Sequence, residues 1–261
     1  MEQTQIITSH TQNPPERYIL LDTLRGLTLI NMILYHFLWD LVFIALIDIP
    51  WYHGTGAYIW QQCICHTFIA LSGFCWSFGR HPLKRGLIVF WGGGLITLIT
   101  MLLMPENQVL FGVLTLIGSA MILMIPLDRM LKKTIHPVGI CLLMGTFITL
   151  FILFKQVSDG TVAGITLPHS LYSNLFTAYL GFPSENFYST DYFPLLPWFF
   201  LFVAGYLFHK LCVRLNLLTA SFFKKNPLPP LTCLGRHSLL IYMLHQPILY
   251  GITMLIILLR K

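Results

Sequence analysis

One long apolar run near the start of the chain carries four ionisable side chains on a single helical face. The run extends from Tyr18 to Ile47, and at about 100° per residue Asp22, Arg25, His36 and Asp40 fall within about 60° of one another. Asp22 and Asp40 would lie roughly 27 Å apart along the helix axis, close to the hydrocarbon thickness of a bilayer. Ionisable groups at that depth cost several kcal/mol unless they face a polar cavity or each other. The run therefore predicts a membrane-spanning helix with a functional polar stripe.

The composition extends this conclusion to the whole chain. Hydrophobic residues make up 56% of the 261 positions and charged residues only 10%, whereas soluble domains carry about 25% charged residues. The length suits about seven to eight spanning helices of about 20 residues each. We therefore expect an all-α, polytopic transmembrane helix bundle, with a polar cytoplasmic N-terminal segment over 1–17 and one membrane domain over 18–261.

Hydropathy places the individual spans along the chain. The predicted spans lie near 18–47, 57–79, 86–104, 109–127, 136–155, 193–213 and 237–259. The segment 166–182 is less apolar, and the sequence leaves open whether it spans the membrane, re-enters it or lies at its interface.

The distribution of basic residues predicts the orientation. With these spans, thirteen of the sixteen Lys and Arg residues fall on one side, together with the N-terminus. The positive-inside rule makes that side cytoplasmic, in a multi-pass protein of the cell (inner) membrane. The net charge of +6 is accounted for by this asymmetry and requires no nucleic-acid partner.

His36 and Asp40 are the first candidates for chemistry. They are i, i+4 neighbours on a helix, so the carboxylate could orient the imidazole and raise its basicity, as a general base requires. His53, in the predicted outer loop that follows, lies just above His36 and is a candidate partner in chemistry at the outer end of the helix. Cys63 and Cys65 resemble metal ligands in spacing, but on a helix they point about 200° apart, and we expect no metal site.

The last predicted span carries a second polar face. Ser238, Tyr242 and His245 lie within about 60° of one another at helical pitch, and His245 or Tyr242 could stabilise an oxyanion. Asp22 and Arg25, at the start of the first span, are placed to meet a phosphate that enters from the cytoplasm. Asp191 is expected to cap the helix that starts near Pro194.

Several motifs resemble one known family. They include Leu21-Asp-x-Leu-Arg-Gly26, His36-Phe-x-x-Asp40, Phe68-Ile-Ala-Leu-Ser-Gly73, Asp191-Tyr-Phe-Pro-Leu-Leu-Pro-Trp198 and Leu234-Gly-Arg-His-Ser-Leu followed by His245-Gln-Pro247. In this order, over about residues 17–259, the chain resembles the heparan-alpha-glucosaminide N-acetyltransferase catalytic family, in particular its small bacterial members.

The resemblance implies a membrane acetyltransferase. The donor would be cytoplasmic acetyl-CoA, and the acceptor an amino sugar or sugar hydroxyl at the far face. A histidine of the family's outer loop corresponds to His53, so His36 and His53 both remain candidate bases or transient acyl carriers. From their placement we expect Asp40 and His245 to complete the catalytic set, and Asp22, Arg25, Ser238 and Tyr242 to contact acetyl-CoA.

Two other functions are compatible with the residues alone. A proton-coupled small-molecule transporter would use His36 and Asp40 as a proton relay, although the chain has no visible internal repeat. An interaction protein that retains only the fold would not depend on either side chain. The expected partners are the lipid bilayer, acetyl-CoA and a carbohydrate acceptor, and enzymes of this type can form homodimers.

Overall fold

The structure is a computed structural model that describes residues 18–131, 136–220 and 228–260. The predicted polar segment 1–17 lies outside the described residues. Within the described ranges the helices are α1 (Ile19–Phe43), α2 (Thr55–Cys75), α3 (Pro82–Leu103), α4 (Val113–Leu131), α5 (Pro137–Leu153), α6 (Leu175–Leu180), α7 (Leu195–Arg214), α8 (Pro229–Arg236) and α9 (Ser238–Leu259).

The predicted all-α bundle is confirmed. Over the described residues, six helices are long and apolar enough to cross a membrane, namely α1, α3, α4, α5, α7 and α9. Each overlaps one of the predicted spans, with ends that differ by a few residues. The predicted second span corresponds to α2, which has 21 residues but carries Gln61, Gln62 and His66 in its middle and is therefore less apolar than the other six.

The segment 166–182 does not form a spanning helix. It contains a 3-10 turn over His169–Leu171 and the six-residue helix α6, which at 1.5 Å per residue is only about 9 Å long. Just before it, strands β1 (Thr161–Val162) and β2 (Ile165–Thr166) form a short antiparallel hairpin. The connection between α5 and α7 is therefore a compact cap on one end of the bundle.

Close helix contacts hold the bundle together where glycine leaves room for a neighbouring backbone. A Cβ at Gly73 of α2 would lie 2.0 Å from the carbonyl oxygen of Phe202, and a Cβ at Gly205 of α7 would lie 2.1 Å from that of Ala70. The two helices therefore approach each other at reciprocal glycines, as is common in membrane bundles. Helices α3 and α4 pack similarly, and α1 packs against both α8 and α9.

The two ends of the bundle differ in charge. The basic end comprises the starts of α1, α3 and α9 and the ends of α2, α4 and α7. It carries Arg25, Arg80, Lys84, Arg85, Arg129, Lys210, Arg214 and Arg236. The opposite end comprises the loops 44–54, 104–112 and 154–194, and two of these loops are joined by hydrogen bonds from Phe193 N to Phe111 O (2.9 Å) and from Leu110 N to Ser189 Oγ (2.9 Å).

Candidate active site

Two histidines from different helices meet inside the bundle. His36 lies on α1 and is half-buried, and His245 lies on α9 with 8% of its surface exposed. Their ring centroids are 5.0 Å apart and the ring planes are inclined at 65° to each other. The structure thus brings together two candidates that are 209 positions apart in the sequence, which spacing alone could not predict.

Asp40 differs from its predicted role. It is fully buried on α1, one turn beyond His36, but its Oδ1 accepts a 2.8 Å hydrogen bond from Nε2 of Gln246 on α9. No hydrogen bond joins it to His36 among the described residues. The i, i+4 spacing correctly places both groups on one face, but a side chain from a neighbouring helix takes the carboxylate oxygen.

Several polar atoms around the histidine pair have no hydrogen-bond partner in the part of the chain that the structure describes. They are Oδ2 of Asp40, Oε1 of Gln246 and Nε2 of His245. A buried polar atom left unpaired costs about 1–3 kcal/mol, so such atoms are rare in native interiors. Three of them on neighbouring side chains mark a site where a ligand, substrate or water can bind.

Tyr242, one turn before His245 on α9, links the site to the loop that precedes α7. Its ring centroid lies 5.3 Å from that of His245, and its hydroxyl donates to Oδ2 of Asp191 at 3.5 Å. The prediction that Asp191 caps α7 is wrong, because α7 begins after Pro194 with no side-chain cap. The carboxylate instead faces Tyr242 and the backbone N–H of Val113 at the start of α4, because the loop that carries it folds back into the bundle.

A second polar cluster lies at the basic end. Asp22 is 5% exposed, with Arg25 Nη1 at 3.5 Å from its Oδ1 and Arg236 Nε at 3.7 Å from its Oδ2. Helix α8 brings Arg236 there because it lies directly against α1: a Cβ at Gly235 would be 1.8 Å from the carbonyl oxygen of Asp22. The Arg25 and Arg236 side chains remain 28% and 42% exposed, so both can reach an anion.

Of the other predicted site residues, His53 lies apart from the two clusters and Ser238 lies between them. His53 is exposed at the end of a 3-10 turn, with its ring 5.7 Å from that of Phe43. Phe43 lies about 10 Å along α1 from His36. Ser238 is half-buried at the first position of α9, close in sequence to Arg236. Tyr242 belongs with the histidine pair rather than with the arginines.

Gln246 and Arg236 are the site residues that the sequence interpretation did not single out. A glutamine within an apolar run, between a histidine and Pro247, is a usable signal for Gln246, since amide side chains in membrane helices hydrogen-bond across to neighbouring helices. Arg236 has no such signal, because it is one of several basic residues at that end of the bundle. In the described part of the chain, no group of three or more His, Cys, Asp or Glu side chains is arranged to hold a metal ion.

An apolar bundle with two histidines, a carboxylate and an amide in its interior defines an integral membrane protein with a polar reaction or transport centre. The family model described as "Heparan-alpha-glucosaminide N-acetyltransferase, catalytic" matches residues 17–247, so the chain belongs to that family. The match supports a membrane acetyltransferase and does not support a carrier. No curated protein and no solved structure matches the chain.

Proposed function

We propose that this protein transfers an acetyl group from acetyl-CoA, bound at the basic end, to an amine or hydroxyl of a sugar at the opposite end. The family supports acetyl transfer in general. The observation that carries the proposal is the contact between His36 and His245 at 5.0 Å. It puts two proton-accepting rings in the interior, beside polar atoms that have no partner in the described part of the chain.

The proposed reaction uses one imidazole as a general base. A neutral ring nitrogen of His36 or His245 accepts the proton of the acceptor N–H or O–H as that nitrogen or oxygen attacks the thioester carbonyl carbon. The new C–N or C–O bond forms, the C–S bond breaks, and the CoA sulfur leaves as a thiolate that takes up the proton. A two-step version, in which a histidine first carries the acetyl group, uses the same residues.

Donor binding is assigned to the arginines of the basic end. Arg25 and Arg236 flank Asp22 and are both partly exposed, and guanidinium groups suit phosphates because their N–H groups bind two oxygens at once. Ser238, at the first turn of α9, lies next along the path from Arg236 to Tyr242 and His245. The CoA phosphates would bind at this end, while the acetyl group reaches inward.

The orientation follows from the same charges. The excess of basic side chains at one end supports a cytoplasmic position for that end in the cell membrane, where acetyl-CoA would be available. The acceptor would then approach His36 and His245 from the far side. Asp40 and Gln246 would act in that half of the bundle, with His53 at its outer surface. Homodimer formation stays a prediction.

The first test is acetyl-CoA binding to the purified protein by titration calorimetry. We expect saturable binding, with a Kd raised about tenfold or more in Arg25→Ala, because a charge-assisted contact to phosphate contributes about 1.5–3 kcal/mol. Arg214→Ala is the matched control, since Arg214 is exposed at the same end but lies at the end of α7. Absence of saturable binding by the wild-type protein would overturn the proposal.

A further inference from the structure

Asp191 joins three parts of the molecule at one carboxylate. It lies in the loop before α7 and is half-buried. The carboxylate accepts a hydrogen bond from the backbone N–H of Val113, the first residue of α4. Its Oδ2 also accepts one from the hydroxyl of Tyr242 on α9, at 3.5 Å. Because these groups come from different elements, the carboxylate holds α9 in place relative to α4.

The loop before α4 fits closely against this carboxylate. A Cβ at Gly112 would lie 3.0 Å from Oδ2 of Asp191 and 3.4 Å from its carbonyl oxygen. The same two loops are joined by the hydrogen bond from Phe193 N to Phe111 O at 2.9 Å. The carboxylate therefore has little room to move away from Tyr242.

The hydroxyl of Tyr242 is already engaged by this contact. A phenol has one O–H to donate, and Asp191 accepts it. The side chain of Tyr242 is only 7% exposed, and its ring packs against those of Phe68 and His245, with centroids 5.9 and 5.3 Å away. Tyr242 is therefore placed to support the His245 ring.

The backbone of Tyr242 selects the tautomer of His245. Nδ1 of His245 lies 2.5 Å from the carbonyl oxygen of Tyr242. A carbonyl oxygen can only accept a hydrogen bond, so the proton of the neutral ring is on Nδ1 and the lone pair is on Nε2. Nε2 is also the ring nitrogen without a partner among the described residues. Both the ring and the lone pair of His245 thus depend on the position of Tyr242.

We propose that Asp191 is a positioning residue for acetyl transfer. Through the hydroxyl of Tyr242 it holds the Tyr242 ring against His245, and so keeps Nε2 of His245 in the orientation in which it accepts a proton. Tyr242 then supports the imidazole and is not the oxyanion donor. The inference rests on the proposed function, since it takes His245 to accept the proton of the sugar. A small misplacement of such a group is enough to lower the rate.

The first test is a double-mutant cycle on kcat with Asp191→Asn and Tyr242→Phe. Asn keeps an oxygen that can accept from Val113, but it is a neutral and weaker acceptor for the Tyr242 hydroxyl. We expect each single variant to lower kcat about two- to fivefold, and the double variant to lose no more than either one. The KM for acetyl-CoA should stay within about twofold, because Asp191 lies at the end of the bundle opposite the arginines.

Three results of this cycle would overturn the inference. Losses of kcat that multiply in the double variant would make the two side chains independent. A loss of Tm without a loss of kcat in Asp191→Asn would make the carboxylate purely structural. A loss of about 10²–10³-fold in Tyr242→Phe, the usual cost of removing an oxyanion donor, would make Tyr242 that donor.

A glycine variant moves the carboxylate without changing any polar group. Gly112→Ala places a methyl group 3.0 Å from Oδ2 of Asp191, so we expect kcat to fall as in Asp191→Asn. Gly145→Ala is the matched control, because a Cβ at Gly145 of α5 would meet no atom within 4 Å. Equal turnover in the two glycine variants would contradict the inference.

A second Asp–Tyr pair provides the control for the cycle. Asp128 accepts a hydrogen bond from Tyr206 between α4 and α7. Asp128→Asn and Tyr206→Phe should be coupled in their effects on Tm, while kcat stays within about twofold in both. A kcat loss in this pair as large as in the Asp191 pair would show that the effect is not specific to the neighbour of His245.

A readout without turnover separates this inference from the proposed function. In protein labelled with 13C-histidine, the His245 ring signal is the one missing in His245→Ala, and the Tyr242 ring contributes to its chemical shift. We expect this signal to move in Asp191→Asn and to stay in place in Asp128→Asn. If it moves as expected but acetyl-CoA does not bind, the placement of His245 by Asp191 stands and the acetyltransferase proposal fails. If sugars are acetylated but Asp191→Asn changes neither kcat nor this signal, the inference fails and the function stands.

Discussion

The cluster around Asp128 and the cluster around His36 and His245 both lie between helices, and they differ in how completely their polar atoms are paired. Between α4 and α7, Asp128 accepts a hydrogen bond from Tyr206, and Lys210 Nζ lies 3.9 Å from the same carboxylate. Lys210 also donates to the carbonyl oxygen of Leu131 at 3.3 Å and lies 5.0 Å above the Tyr206 ring. Each polar member of this cluster has a partner.

The cluster between α1 and α9 is different. Gln246 donates to Asp40 at 2.8 Å, but in the described part of the chain the second oxygen of Asp40, the amide oxygen of Gln246 and Nε2 of His245 have no partner. A fully paired buried network stabilises the fold, whereas unpaired atoms destabilise it until something binds. The comparison therefore supports the proposal that the Asp128 cluster stabilises the fold and that the His36–His245 cluster is the reaction centre.

The largest expected loss of kcat comes from replacing either histidine of the pair. His245→Ala should lower kcat for acetyl transfer about 10²–10⁴-fold, the usual contribution of a general acid or base, and His36→Ala should do the same. The measurement is turnover with labelled acetyl-CoA and a sugar acceptor. Normal turnover in His36→Ala would move the role of base to His245 or His53, and normal turnover in both variants would refute the site.

His209→Ala is the matched control for His245→Ala. Both histidines are 8% exposed, and each has one ring nitrogen without a partner among the described residues. His209 lies against Phe74 and Phe78, with ring centroids 5.2 and 4.7 Å away. Both alanine variants remove a buried ring and should lower Tm similarly, so a kcat loss confined to His245→Ala reports chemistry rather than folding.

Smaller effects are expected from the carboxylate of each cluster, on kcat for Asp40 and on Tm for Asp128. Asp40→Asn keeps the oxygen that accepts from Gln246 and removes the charge, so we expect kcat to fall about tenfold with little change in Tm. Asp128→Asn removes the ion pair with Lys210, so Tm should fall while kcat stays within about twofold. Equal kcat losses in the two variants would contradict the division between the clusters.

The spans, the polar stripe and the charge asymmetry could be predicted because each depends on local composition. A run of about 20 apolar residues predicts a helix, and helical pitch places Asp22, Arg25, His36 and Asp40 on one face. The partners across helices could not be predicted in this way. Gln246 is 206 positions from Asp40, and Asp191 faces Tyr242 because a loop folds back into the bundle, which no local pattern encodes.

The smallest expected effects come from removing one tyrosine hydroxyl from each cluster. Tyr206→Phe removes the donor to Asp128 and should lower the free energy of unfolding by about 1–2 kcal/mol, seen as a Tm loss of roughly 2–4 °C per kcal/mol. Tyr242→Phe removes a longer hydrogen bond, 3.5 Å to Asp191, and should affect Tm less. Because Tyr242 touches His245, its variant should instead lower kcat about two- to fivefold, a modest change in transition-state energy. The opposite pattern, with Tm lost in Tyr242→Phe and kcat lost in Tyr206→Phe, would place the reaction centre between α4 and α7 instead.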